Sequence, residues 1–300
     1  MSFQIINPGF SSSIQDYGRT GYKKHGLSQS GAMDEIAYCE ANSLLDNKFD
    51  DAVVETVFEG LQIISKIDTF ISVTGANLDF RINNKKMPMW ESIKVFKDDI
   101  LSWNKTIEGN YSYLAVKGGF KTDIFFGSRS INIRENIGKK LKKKDILKCK
   151  SYKDLKLKKS KNIPKYNKKK SLRILPTYQF RRFNLEQKKR FFNQFYKITN
   201  LNNRTGYRLK GRPIIIKKNE MISEGISYGS VQISNDGLPI ILMKDAPTIG
   251  GYPKIGTVFS LDLSFLSQKK ENEKIHFETM EIEQAQLKRQ IFNRHFEINL

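Results

Sequence analysis

LQIISKIDTFISVTG, residues 61–75, is dense in isoleucine, valine and phenylalanine and stops at a glycine. Such a composition fits a pleated, half-buried strand. AVVETVF (52–58), SIKVF (92–96) and SYLAVKGGF (112–120) read the same way, each ended by Gly, Asn or Asp turn residues. Further on, RPIIIKK (212–218), GSVQI (229–233), LPIILMK (238–244) and IGTVFSLDL (255–263) repeat the pattern. SNDG (234–237), between two of these runs, predicts a hairpin turn.

Helical signals are fewer. DEIAYCEANSLLDN (34–47) opens on Asp34 as an N-cap and sets Ala37, Ala41, Leu44 and Leu45 on one face. NLEQKKRFFNQFYKI (184–198) pairs a capping Asn184 with Gln187 and carries a Phe191, Phe195, Ile198 stripe. A last helix is expected over residues 281–293. Many short strands with rare helices predict a mainly β protein rather than a βαβ fold.

The chain has 300 residues and a net charge of +21. Sixteen lysines and two aspartates fall between Lys139 and Lys170, so about two-thirds of the excess sits in a tenth of the chain. That run contains no arginine and only Tyr152 and Tyr166 as aromatics. It lacks the groups that stack on or fork to bases and reads as a solvated linker, with a short RNA or acidic-surface contact as the alternative. We place it at residues 149–171, between an N-terminal domain (1–148) and a C-terminal one (172–300). GRTGYKKHG (18–26) returns as NRTGYRLKG (203–211), which suggests two related β-domains. Cys39 and Cys149 make no ligand or disulfide pattern, and His25, His276 and His295 have no metal spacing, so no metal site is expected. The N-terminus does not read as a secretion signal, and no apolar run approaches a bilayer's thickness; the expected compartment is the cytoplasm.

Three glycine-rich polar clusters stand out: IQDYGRTGYKKHGLSQSGAMD (14–34), VKGGFKTDIFFGSRS (116–130) and KDAPTIGGYPKIG (244–256). Glycine opens φ > 0 and lets backbone N–H groups approach a ligand, and neighbouring hydroxyls or arginines add donors for an anion. Phosphate-loop, dinucleotide and nucleophile-elbow signatures are missing. The residues by themselves describe a two-part β-protein with a polar, glycine-lined cleft suited to a small anionic or amide ligand.

Several of these motifs in order, SIQDYGRTGY, GLSQSGAMD, YLAVKGGF, FGSRS, NRTGYRLKG, SEGISYGSVQI and DGLPIILMKDAPTIGGYPKIGTV, resemble the allophanate hydrolase subunit 2, or biotin-dependent carboxyltransferase-like, family. The resemblance runs from about Phe3 to the last helix and lapses in the lysine run. It implies two tandem cyclophilin-like β-barrel domains with a few short helices. It also implies one component of an ATP-dependent 5-oxoprolinase, a hydrolase opening pyroglutamate to glutamate. The implied partners are a smaller allophanate hydrolase subunit 1-type protein and a larger-complex component of lactam-hydrolase-like type, with no nucleic acid and no membrane. Other members point to a urea carboxyltransferase, with biotin only on a separate protein, or to a non-catalytic regulator that antagonises a kinase inhibitor. ATP enters by resemblance alone.

Acid–base work on an amide needs carboxylates and anion-holding cations. On that ground Asp16 and Asp34 are the expected acids or bases, Arg19 and Arg204 the anion holders, with Gln15 beside them. Substrate or nucleotide contacts are expected from Ser30, Gly31, Ala32, Met33, Tyr207, Gln232, Thr248, Gly250, Gly251 and Tyr252. One departure matters: the family commonly writes Asp-Arg-Gln-Thr where this chain has Asp245, Ala246, Pro247 and Thr248. An arginine and a glutamine are therefore missing from that expected wall.

Overall fold

The computed structural model describes residues 1–168, 171–215 and 222–299. Contacts divide the described chain into two compact units. The first is Met1–Thr20, Ser30–Pro164 and Asn293–Leu300; the second is Gly21–Gln29 and Lys165–Phe292.

In the first unit eleven strands form two sheets. One runs β11 (Ile146–Lys148), β1 (Ser2–Pro8), β4 (Leu61–Ser65), β9 (Ile100–Trp103), β6 (Phe80–Ile82) and β7 (Lys85–Lys86). The other runs β2 (Ser11–Gln15), β3 (Val53–Val57), β10 (Glu108–Val116), β5 (Thr69–Asn77) and β8 (Ser92–Val95). Phe3, Ile63, Phe80 and Trp103 from the first sheet meet Val54, Ile71, Val73 and Leu114 from the second in one core. The 61–75 run is two strands: it breaks at Lys66, Ile67 and Asp68, where the Ser65 hydroxyl donates to Ile67 O at 2.6 Å. Eight of the nine residues of β5 are buried because both of its faces are covered. Ile71 and Val73 face the core, while Ser72 and Thr74 donate to Ala41 O (2.6 Å) and Ala37 O (2.7 Å) of helix α1 (Glu35–Ser43).

The lysine-rich stretch keeps most of its side chains in water but its backbone docks on this unit. Leu147 pairs with Phe3, Ser92 N donates to Lys158 O (2.9 Å), and Ser160 N donates to Trp90 O (2.8 Å). This stretch thereby covers part of the outer edge of β8, which blunts it against pairing with another chain.

In the second unit seven strands close into a barrel. Their order is β12 (Ser171–Pro176), β19 (Lys254–Val258), β16 (Ser230–Ile233), β17 (Pro239–Leu242), β14 (Gly206–Lys210), β13 (Tyr196–Asn202) and β20 (Lys274–Thr279). A two-residue pair, β15 (Glu224–Gly225) with β18 (Ile249–Gly250), sits outside that ring. The SNDG turn forms as expected: Gly237, at φ 76°, donates to Ser234 O between β16 and β17. RPIIIKK differs from its strand expectation over residues 212–215, which are irregular; the remainder lies outside the described residues.

Helix α2 (Leu185–Phe192) has the Asn184–Gln187 capping box but stops earlier than its apolar stripe implies. Phe191 is buried; Phe195 lies beyond the helix and is exposed, and Ile198 belongs to β13. IGTVFSLDL is also divided, β19 giving way to helix α3 (Ser260–Ser267). Asp262 in the first turn of α3 is fully buried and accepts from Arg173 N (2.8 Å), Nε (2.9 Å) and a terminal guanidinium nitrogen (2.6 Å). Three charge-assisted bonds to β12 hold the helix there. Helix α4 (Ile282–His295) closes the sequence, with Ala285 buried beside Phe259 and Met280. The protein is mainly β, with four short helices among the described residues. None of them is long and apolar enough to cross a membrane.

Candidate functional site

The two ends of the first glycine-rich cluster, residues 14–20 and 30–34, lie in the first unit with the second cluster. Asp16 follows β2 directly and is only 6% exposed. Its Oδ1 accepts from Gly18 N (2.8 Å), Ser128 Oγ (2.6 Å) and Ser130 Oγ (2.5 Å), and its Oδ2 from Arg129 N (2.5 Å). Ser130 Oγ in turn accepts from Asp16 N at 2.9 Å. Arg19 donates from its guanidinium to Ser130 O, and Gln15 Nε2 donates to Ile131 O at 3.0 Å. A carboxylate has about four acceptor sites, and Asp16 has four donors on it. In this geometry it clasps the Ser128–Ser130 turn.

The turn of Ser30, Gly31, Ala32, Met33 and Asp34 is equally well tied. Ser30 (φ 55°) and Gly31 (φ 98°) are both left-handed, and a Cβ on Gly31 would stand 2.7 Å from Tyr17 O. A non-glycine residue held there costs on the order of 1 kcal/mol, a cost that clusters at functional loops. Three successive N–H groups then reach separate acceptors. Ala32 N donates to Asp16 O (3.1 Å), Met33 N to Glu55 Oε2 (2.8 Å) and Asp34 N to Tyr113 Oη (2.7 Å). Tyr113 passes its own proton bond to Glu55 Oε2 at 2.9 Å. Burial first, then the charges of Glu55 and Asp34, push the Tyr113 phenol well above its ordinary pKa, so it stays a donor. Asp34 caps α1, accepting from Ala37 N at 3.0 Å.

The third cluster lies in the second unit with most of the other expected residues. Arg204 forks onto Asp245, Nε to Oδ2 at 2.7 Å and a terminal nitrogen to Oδ1 at 3.0 Å. Beside Gly250 and Tyr252 is a polar knot centred on Lys254, which is 9% exposed. Its ammonium lies 2.5 Å from Glu224 Oε1 and donates to Gly225 O at 3.2 Å. Gln179 Nε2 donates to Glu224 Oε1 (2.5 Å), and Tyr178 Oη donates to Oε2. Hydrogen bonds from Lys254, then from Tyr178, hold the Glu224 carboxyl below its ordinary pKa. Gln232 Nε2 reaches Tyr252 O at 3.4 Å, and a Cβ on Gly250 would stand 2.8 Å from that same Nε2. Thr248 O accepts from Ile226 N, fixing the loop before Gly250. Tyr207 is 1% exposed and donates to Ser267 O at 3.0 Å within the barrel. An ammonium, a carboxylate, a phenol and the Gln179 amide thus bond to one another, with the Gln232 amide on the adjoining Gly250–Tyr252 loop. They can bind a carboxylate or amide and hold a proton near it.

Sequence reading missed Glu55, Tyr113, Glu224 and Lys254 as partners. Glu55 did carry a signal, an acid inside the apolar run AVVETVF. Among the described residues no group of three or more His, Cys, Asp or Glu side chains is placed to hold a metal ion.

A closed β-barrel with these glycine-loop sites is the architecture of a carboxyltransferase domain. The chain belongs to that family, subdomains A and B, whose pattern it matches over residues 25–279. It is 32% identical over 286 residues to the C component of 5-oxoprolinase from Haemophilus influenzae, covering 94% of this chain and 92% of that protein. To the same component of the Escherichia coli 5-oxoprolinase it is 31% identical over 303 residues, covering 98% and 96%. The crystal structure of the Kluyveromyces lactis urea carboxylase superposes with a TM-score of 0.87 at 25% identity over 98% of this chain, which spans 29% of that one.

Proposed function

We propose that this chain is the carboxyltransferase-domain component of an ATP-dependent 5-oxoprolinase. In that role it acts with a smaller allophanate hydrolase subunit 1-type protein and a lactam-hydrolase-like protein. The observation that carries the reading is coverage: the bacterial 5-oxoprolinase components align with it almost end to end, whereas it spans only a fraction of the urea carboxylase.

The chemistry asked of such a complex is hydrolysis of an unactivated lactam. An amide is a poor electrophile, so phosphoryl transfer from ATP to its oxygen precedes attack by one water; the ring nitrogen leaves protonated to give an acyl phosphate, and a second water then releases phosphate and the free carboxylate. In the proposal, Lys254 and Arg204 supply positive charge for the substrate carboxylate or developing oxyanion. Glu224 and Tyr178 hold the ammonium and a proton beside it, and Gln232, Thr248, Gly250, Gly251 and Tyr252 shape the wall. Asp16, Gln15, Arg19 and the Ser30–Asp34 turn serve by holding loops in register, with Asp34 fixing the start of α1.

A second reading follows from the carboxyltransferase family itself and the urea carboxylase likeness: transfer of a carboxyl group from biotin on a separate protein. Mixing the purified chain with its two candidate partners separates the readings. The 5-oxoprolinase reading expects ADP formation that depends on 5-oxoproline. ADP formation that instead requires bicarbonate, a biotinylated carrier and urea supports carboxyl transfer and overturns it.

A further inference from the structure

A separate concavity in the first unit is lined by lysines to which the proposed reaction assigns no role. It is an open concavity of about 770 Å³ lined by Lys94, Lys117, Lys153 and Lys156. Small-ligand sites run from about 300 to 1,000 Å³, so the volume suits a molecule of modest size. Phe70 and Leu155 add an apolar floor.

The wall is fixed at both ends. Before it, Ser151 Oγ donates to Asp68 O (2.7 Å) and Thr69 Oγ1 to Lys150 O (3.4 Å). After it, Ser92 N donates to Lys158 O (2.9 Å), and Lys158 N donates back to Ser92 Oγ (2.6 Å). Lys153 and Lys156 are therefore carried on a short arch pinned to the edge of β8. Lys117 is held by Leu45 O at 2.6 Å, and Lys94 lies 5.7 Å from the ring centres of Phe70 and Phe96.

Charge on the wall is unbalanced. Two carboxylates line it, Asp46 and Asp154, and Asp46 is already taken by the ammonium of Lys158. Four lysines less Asp154 leave an excess of three positive charges around one concavity. The cations are all lysines. Lysine binds phosphate as a point charge, and several such charges around one concavity suit the several oxygens of linked phosphoryl groups.

We infer that this cavity is a binding site for a short chain of linked phosphoryl groups, as found in a nucleoside triphosphate or in inorganic polyphosphate. It lies among residues with no role in the proposed lactam chemistry and stands or falls independently of it.

The test is calorimetric titration of the full chain with inorganic tripolyphosphate and, separately, with ATP, both without magnesium. The variant K94A/K153A/K156A removes three wall charges. K139A/K140A/K142A removes three from the same lysine-rich run outside the cavity. Both substitute exposed side chains, and circular dichroism verifies their folding. The proposal expects saturable binding that weakens about tenfold or more in the wall variant, changes less than about twofold in the control, and falls steeply with added salt. Equal affinity for the two ligands assigns the site to the phosphate chain alone, and tighter ATP binding assigns it to a nucleotide. Absence of binding to the unaltered chain, or equal weakening in both variants, overturns the proposal.

Discussion

Asp16 and Ser130, 114 residues apart, bond each other twice: the Ser130 hydroxyl donates to Asp16 Oδ1 at 2.5 Å and accepts from Asp16 N at 2.9 Å. With Ser128 and Arg129 on the same carboxylate, this exchange joins two glycine-rich loops into one structure. Asp16→Asn turns an acceptor-only group into one that presents N–H to existing donors. We expect it to cost about 2–3 kcal/mol, and Ser130→Ala about 1–2 kcal/mol, in urea unfolding. The two changes together should cost less than their sum, because the same bonds are lost twice. Additive losses would show that the clasp is not a coupled unit.

Glu55 and Tyr113 form a second coupled pair beneath the Ser30–Asp34 turn. Tyr113→Phe leaves Asp34 N without that acceptor and should destabilise by about 1–2 kcal/mol. Because the folded phenol has its pKa raised, the unfolded chain ionises first as pH rises past about 10. Stability contributed by the protonated phenol is present below that pH and falls above it. Tyr113→Phe should therefore flatten the alkaline limb of stability against pH, and an unchanged limb would assign the loss to other tyrosines.

Glu224, the partner of Lys254, responds in the opposite direction. Glu224 has its pKa lowered by its partners, so its contribution is present above the unfolded value of about 4.3 and is lost as pH falls through the folded one. Glu224→Gln should remove that acid dependence. It strands an ammonium whose side chain is 11% exposed, at a cost of about 1–3 kcal/mol. Adding Lys254→Met should recover part of the loss, since the stranded charge goes with it. A double variant less stable than Glu224→Gln alone would contradict this.

Cys149 lies in the core of the first unit, where burial raises its thiol to about 11, against a smaller lowering by the N-terminal charge. It should resist thiol reagents near pH 8 in the folded protein and react once unfolded. The unfolded thiol ionises from about pH 8.5, so this group's contribution to stability falls between there and about 11. Rapid labelling of Cys149 in the native state, identified by mass spectrometry, would show that the site opens.

The strands that were legible in the sequence are those whose own residues settle the matter. AVVETVF and SIKVF need nothing else, and SNDG carries its turn in the glycine at φ 76°. Elements settled by distant partners were not legible. IGTVFSLDL reads as one apolar strand until Asp262, in the helix that takes over its second half, is seen to bind Arg173, 89 residues away. The charged run KIHFET becomes a strand by pairing with β12 on one side and β13 on the other. The candidate loops could be found from glycine and polar composition, but the partners that give them geometry, Glu55, Tyr113, Glu224 and Lys254, each sit in a strand, where only Glu55, an acid inside an apolar run, stands out.

The most direct measurement of the proposed activity is glutamate released from 5-oxoproline, with ATP, by the complete three-protein mixture and by the same mixture lacking this chain. The account predicts release that tracks ADP formed, vanishes when the chain is omitted, and returns with added chain but not with Lys254→Met. Glutamate formed equally well without the chain would contradict it.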